Sequence, residues 1–365
     1  MLERVRVGVA GASWWADAMH LPSLKSHPRA DVVAICARQR PHAEALAAKY
    51  GIEGVFTDHR EMIEKGALDA LVVSVPDDWH YPIVMDALAA GLHVVCEKPL
   101  ASSAEQARQM FEKAEQARVK HMTYFTWRWI PHFRYLQSLI GEDYIGRVFH
   151  CHLTQTGGYG RDGRYAWRFD GRRANGILGD LGSHMIDLAR WLVGEVGEVS
   201  AQLATLVEHA APRAELVEAP AMPANDSALL GLRFASGAQG MIHVNAVQHR
   251  GAQGQKQTAT FDGALGTLEA SYGSATGSEI HGIRHDEDHF THLPVPERFL
   301  PASRQHPYDV FRTEAAGDRL FIDAILEDRA ISPSFYDGWK AQQVIEAALL
   351  SDREGRRVHI AEHQA

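Results

Sequence analysis

"VRVGVAGASWWADAMH" (residues 5–20) runs a short apolar strand, Val5 to Val9, into a glycine-containing turn and then a helical pattern. A dinucleotide-binding fold opens in this order. The expected G-x-G-x-x-G is absent: from Gly11 the frame reads Gly11, Ser13, Ala16, with Trp14 and Trp15 between the last two. In such a fingerprint the first glycine makes the turn. The second lets backbone approach a pyrophosphate, and the third packs helix on strand. Gly11 fills the first role and Ala16 serves in the third. Ser13 narrows the approach, but its hydroxyl can cap the helix or bond a phosphate.

Outward from this turn, apolar runs at 5–10, 31–36, 54–57, 69–75, 93–97 and 121–125 alternate with helical stretches at 41–50, 82–91 and 103–117. Continuous β-branched runs separated by helices predict a parallel sheet covered on both faces. Residues 1–123 therefore read as one α/β, Rossmann dinucleotide-binding domain. Beyond them come a helix near 131–140, "GRVFHCHLTQT" (146–156), a Gly- and Arg-rich loop, and a helix through "MIDLARWLVG" (185–194). Longer alternating segments follow from about 198 to 292, with "ASG" (235–237) as a hairpin turn. Helices near 308–327 and 339–350 close the chain, and "ATLVEHAAPRAELVEAPAMPA" (204–224) reads as a long loop. Residues 124–365 are thus expected to form an α+β domain on a large, mostly antiparallel open sheet. Its C-terminal helix can pack back on the first domain.

The 365 residues are 45% hydrophobic, enough for a full core, and the formal charge of −9 argues against nucleic acid or an anionic membrane as the main partner. No apolar run approaches the roughly 18 residues of a membrane span. The opening MLERVRV has no signal-peptide apolar region, and three cysteines without a CxxC spacing suit a reducing compartment. The expectation is a soluble cytoplasmic protein.

Four further stretches carry chemistry. In "ICARQRP" (35–41), Ala37 and Arg38 stand where an acid would hold a ribose 2′-hydroxyl. Without that carboxylate nothing repels a 2′-phosphate, and a guanidinium can grip one, which favours NADP(H) over NAD(H). The bland alternative makes Arg38 and Arg40 solvated loop charges. "SVPDDWHYP" (74–82) follows the fourth strand at the ligand-binding edge of such sheets. It offers Pro76 and His80 to a cofactor, although His80 reads equally well as a packing residue. "VVCEKPLA" (94–101) sets Glu97, Lys98 and Pro99 after the fifth strand, where a lysine meets a bound substrate, and Lys98-Pro99 is a candidate cis bond. In "NGILGDLGSHMIDLARWL" (175–192), Asp180 and His184 are four apart, on one face of a regular helix. A histidine with a carboxylate neighbour is a general acid or base near neutral pH. The alternative is a structural Asp–His pair in a helical core.

In "EIHGIRHDEDHFTH" (279–292), His281, His285, His289 and His292 have helical spacing. Gly282 and the acidic run 286–288 make a strand-turn-strand that separates them, so no metal site is expected.

Taken in order, "VGVAGASWWADAMHLPSL", "DALVVSVPDDWHYPIVMDALAAGLHVVCEKPLA", "GRVFH", "GILGDLGSHMIDLARWL" and "PSFYDGWKAQQVIEAALLSDREGRRV" resemble the Gfo/Idh/MocA family of nicotinamide-dependent oxidoreductases over nearly the whole chain. The resemblance implies a dehydrogenase or reductase acting on the CH–OH group of a sugar, polyol or related compound. It makes Lys98, Asp180 and His184 the catalytic set, with Lys98 and His184 both open as the immediate base. It places Gly11, Ser13, Trp14, Trp15, Arg38, Pro76, His80, Glu97 and Lys98 at the cofactor, at least one of the two tryptophans walling the nicotinamide side. Tyr124, Trp127, Arg128, Trp167 and Arg168 fall where the family lines its substrate cleft. It also implies a homo-oligomer, dimer or tetramer, through the open sheet. Ser13 and Ala37 depart from the pattern, touching phosphate-loop geometry and cofactor choice. Two other readings stay open: a cofactor-binding sensor without turnover, and a redox-assisted glycoside hydrolase or lyase with retained cofactor.

Overall fold

The segment VRVGVA is buried at every position except Arg6 because it lies mid-sheet with both faces covered. The computed structural model describes residues 3–210, 222–273, 277–305 and 308–360. Contacts divide the chain into two units, Met1–Trp129 with Pro301–Trp339, and Ile130–Leu300 with Lys340–Ala365. Segment 301–339, assigned from the sequence to the second domain, thus groups with the first.

In the first unit, β1 (Val5–Ala10), β2 (Ala30–Cys36), β3 (Gly54–Phe56), β4 (Ala70–Val73), β5 (His93–Cys96) and β6 (His121–Thr123) form one sheet. Its order is β3-β2-β1-β4-β5-β6 and every pairing is parallel. The chain order reverses between β1 and β4, which opens the ligand crevice of a Rossmann sheet at the carboxyl ends of those strands. On one face Leu71, Val73, Val94 and Cys96 pack with Ile83, Val84, Met110 and Phe335, so the returning segment contributes to this core.

The second unit holds a nine-stranded sheet of β7 (Val148–Thr156), β8 (Val196–Ala204), β9 (Ser227–Phe234), β10 (Gln239–Asn245), β11 (Lys256–Gly263), β12 (Gly266–Gly273), β13 (Gly277–Arg284), β14 (Thr291–His292) and β15 (Val358–His359). Its order is β14-β13-β12-β11-β7-β10-β9-β8-β15, antiparallel except for β7 against β10. Ala228, Leu230, Leu232 and Phe234 point into the core while Leu229 and Arg233 point out, the period of two that a half-covered strand requires. The helix Ser183–Val193 packs on β7 and β10.

The expected helix over 308–327 is two, Val310–Thr313 and Gly317–Leu326, and the last helix is longer than expected, Phe335–Glu354. The predicted loop 204–224 follows β8, and its residues 211–221 lie outside the described residues. The histidine segment is strand-turn-strand as expected, but this does not keep all four rings apart. His281 and His292 are cross-strand partners with ring centroids 5.3 Å apart, while His285 and His289 lie in the connection. Among the described residues no group of three or more metal-ligating side chains forms. No described helix is long and apolar enough to cross a membrane.

Candidate functional site

In the first unit the site begins at Gly11, which holds φ +118° directly after β1. A Cβ there would lie 2.0 Å from the Ser74 carbonyl oxygen after β4, so no other residue fits without moving backbone. The Ser13 hydroxyl accepts the Ala16 N–H at 3.1 Å, the helix-capping role among its two alternatives. Residues 14–26 are helical, with a π-helical turn at Ala16–His20. A tight turn at the switch point, followed by the amino end of a capped helix, fits a dinucleotide pyrophosphate.

Trp14 is 69% exposed and meets Trp15 edge-on at 5.2 Å. The Trp15 indole donates to Glu97 Oε1 at 2.6 Å and packs against Tyr308. Arg38 is exposed, with its guanidinium 6.0 Å from the Trp79 ring centroid. Arg40 is taken up by Glu44 at 2.8 Å. Pro76 leads into the short turn Asp77–Trp79 that presents Trp79, a residue the sequence reading passed over.

His80 departs from the expected cofactor contact. It is fully buried, with Nδ1 2.8 Å from the Pro99 carbonyl oxygen and Nε2 2.9 Å from that of Val75. It therefore braces the Lys98-Pro99 turn from beneath. That peptide bond is cis.

Glu97 is the hub of a buried polar chain. Its Oε1 also meets His20 Nε2 at 3.0 Å, and its Oε2 accepts the Lys98 backbone N–H at 3.2 Å. His20 Nδ1 faces both oxygens of Asp318 at 3.1 Å, and the Tyr124 hydroxyl donates to Asp318 at 3.1 Å. His20, Asp318 and Tyr124 are 0% exposed. Burial alone would push the His20 imidazole toward neutrality; Asp318 and Glu97 overcome it and hold the pKa at about 10. Burial opposes the Glu97 charge too, yet the bond to His20 and the nearby Lys98 hold its carboxyl below the usual range.

Tyr124 and Arg128 are corrected here. Tyr124 belongs to this buried chain. Arg128 is 7% exposed, donating to Ser332 Oγ at 3.1 Å and Asp337 Oδ1 at 2.8 Å. Both are tied to the returning segment and neither is open to a ligand. Trp127 is half-buried between them in sequence.

In the second unit, Asp180 sits in the π-helix Leu178–Gly182, which runs into the helix Ser183–Val193. The helical run from 178 to 193 is continuous, so Asp180 and His184 stay about one turn apart across this i→i+5 turn. Two partners of Asp180 are defined. The Tyr159 hydroxyl donates to its Oδ2 at 2.6 Å, and Arg168 Nε lies 3.1 Å from the same oxygen. Arg168 also lies over the Trp167 ring at 4.8 Å. His184 is 7% and Asp187 1% exposed.

The π-turn is pinned by Asn225, from the segment before β9. Asn225 Oδ1 accepts the Leu178 N–H at 2.9 Å, its amide donates to the Asn175 carbonyl at 3.0 Å, and its own carbonyl accepts the Ile177 N–H at 2.8 Å. Gly176, at φ +66°, allows this approach: a Cβ there would lie 2.4 Å from the Asn225 carbonyl oxygen. Tyr159 and Asn225 lie 21 and 47 residues from their partners Asp180 and Leu178, too far for local spacing to reveal.

Two family profiles match the chain. The oxidoreductase family NAD-binding Rossmann fold of Gfo/Idh/MocA proteins covers residues 5–125, and its C-terminal alpha/beta domain covers residues 137–360. Levoglucosan dehydrogenase of Pseudarthrobacter phenanthrenivorans is 28% identical over 96% of both chains. Inositol 2-dehydrogenase of Rhizobium meliloti is 29% identical over 98% of this chain and 99% of its own. A solved levoglucosan dehydrogenase in complex with NADH and L-sorbose superposes with a TM-score of 0.87 at 25% identity, covering 99% of this chain and 100% of that one.

Proposed function

The chain belongs to the Gfo/Idh/MocA family of oxidoreductases, and we propose that it interconverts a secondary alcohol and ketone on a sugar, polyol or related compound. The observation that carries this reading is Lys98. It stands half-buried at the carboxyl end of β5, on the sheet edge that carries the Gly11 turn, with its backbone held by Glu97 and braced through His80. A bound nicotinamide would accept or supply the hydride.

The chain's own groups supply the rest. The Lys98 ammonium binds the substrate oxygen and stabilises the alkoxide, sharing in proton transfer. His184 takes or returns the hydroxyl proton. Asp180, fixed by Tyr159 and Arg168, completes the catalytic set. Trp167 and Arg168 contact the substrate. Trp15, tied to Glu97, is the tryptophan that walls the nicotinamide side; Gly11, Ser13 and Pro76 bound the rest of the cofactor. Failure to turn over any sugar or polyol in a panel, with cofactor bound, would leave a sensor instead.

For the cofactor we infer a preference for NADP(H). Ala37 leaves no carboxylate at the end of β2. Among the described residues Arg38 has no carboxylate partner, so its guanidinium remains available to a 2′-phosphate. The solved relative holds NADH, which makes NAD(H) the competing reading. Fluorescence titration decides between them: NADPH is expected to bind about tenfold or more tightly than NADH, a difference of about 1.4 kcal/mol, and Arg38→Ala to erase it. Equal affinities in the unmodified protein would overturn the preference.

The uncovered face of the nine-stranded sheet is the proposed self-association surface of a homodimer or homotetramer. Leu229 and Met241 are 42% and 40% exposed on its adjacent strands β9 and β10. Met241→Lys is expected to shift the native mass by light scattering toward the monomer; an unchanged mass would move the interface elsewhere.

A further inference from the structure

We propose that His20 is a positioning residue for Lys98: its imidazolium is the cation that lets two buried carboxylates, Glu97 and Asp318, stay ionised on either side of it. The inference rests on the reading of Lys98 as a functional lysine. It adds a residue that the sequence analysis gave no role.

Three groups from three separate elements face the His20 ring. Glu97 meets Nε2 from the end of β5, Asp318 meets Nδ1 from the helix Gly317–Leu326, and the Tyr124 ring lies 4.4 Å away after β6. The charged neighbours on the nearby helices are engaged elsewhere. Asp17 pairs with Lys49 and Tyr50, and Arg312 donates to the Ala18 carbonyl. Glu97 in turn faces Trp15, the Lys98 backbone and His20, with Cys96 and His80 as its uncharged buried neighbours.

Both ring nitrogens of His20 therefore have carboxylate oxygens within hydrogen-bond distance. A neutral imidazole can donate to only one of them; an imidazolium donates to both. Two carboxylates facing one site without a cation cannot both remain ionised, and one takes up a proton. With His20 charged, Glu97 keeps its full charge beside Lys98 and its Oε2 stays on the Lys98 N–H. The Lys98 backbone is then fixed. Removing the cation weakens that hold through Glu97, although His20 itself touches neither cofactor nor substrate. The π-helical turn at Ala16–His20 sets the ring between the two acids and carries the same helix from the cofactor turn to this network.

The test needs no substrate. Exchange of the Lys98 backbone N–H, which donates to Glu97 Oε2, is followed by hydrogen–deuterium exchange. In His20→Gln this amide is expected to exchange about tenfold faster, with the amides inside β5 unchanged. A lowered melting temperature with Lys98 exchange unmoved relative to β5 would reduce His20 to packing and overturn the proposal. Should this variant not fold, nitrogen-15 spectra of the histidines in the unmodified protein decide. His20 is expected to remain doubly protonated at pH 8, and a neutral ring there sinks the idea. Loss of the proposed dehydrogenase activity would leave these outcomes standing, and their failure would leave that activity untouched.

Discussion

His184→Ala is expected to lower turnover by about 10²–10⁴-fold on the best sugar or polyol found, while cofactor affinity holds within about twofold. In the proposed reading His184, 7% exposed, takes the hydroxyl proton as the carbon loses hydride. Without it the proton must leave to water from an alcohol whose unassisted ionisation is very unfavourable. Lys98→Ala is expected to cost at least as much, because it removes the charge that stabilises the alkoxide. Steady-state rates with NADP+ or NAD+ on a panel of sugars and polyols would measure this. Full turnover by both variants would overturn the assigned catalytic set.

The first unit's strands were legible because a parallel sheet covered on both faces writes itself as continuous apolar runs. All six runs became strands, in an order that places the Gly11 turn at the switch point. Lys98 and Glu97 were legible for a related reason, as polar residues directly after a buried strand. The partners of those residues were not legible. His20 meets Asp318 across 298 positions, and Arg128 meets Asp337 across 209. Such pairs are created by the return of segment 301–339 to the first unit and leave no periodic trace. Tyr124 and Arg128 were misplaced for the same reason. An aromatic or basic residue at a strand end reads alike whether it turns to a ligand or to a buried acid. The Asp180 segment was legible as a helical run but not in its turn type. Its spacing is helical, but the turn is a π-helix, and Gly176 with Asn225 determines where that turn begins.

Asp318→Asn is the sharpest stability prediction, with an expected cost of about 3–5 kcal/mol near pH 6. The substitution keeps shape but leaves the buried His20 cation with Glu97 as its sole carboxylate partner. In the first unit this corresponds to a fall of roughly 10 °C in the melting transition. The pH dependence identifies the cause. His20 titrates at about 10 in the folded chain against 6.5 for the free side chain. A raised folded pKa contributes stability that is fully present below the unfolded value and fades as pH climbs to the folded one. The gap between wild type and variant is therefore expected to be widest at or below pH 6.5 and to narrow steadily toward pH 10. His80 and His132 are held neutral by burial and titrate in the opposite sense, but they are common to both proteins and cancel in the comparison. A gap that stays constant from pH 6 to pH 10 would mean that Asp318 acts through shape and hydrogen bonding alone, and that His20 carries no buried charge.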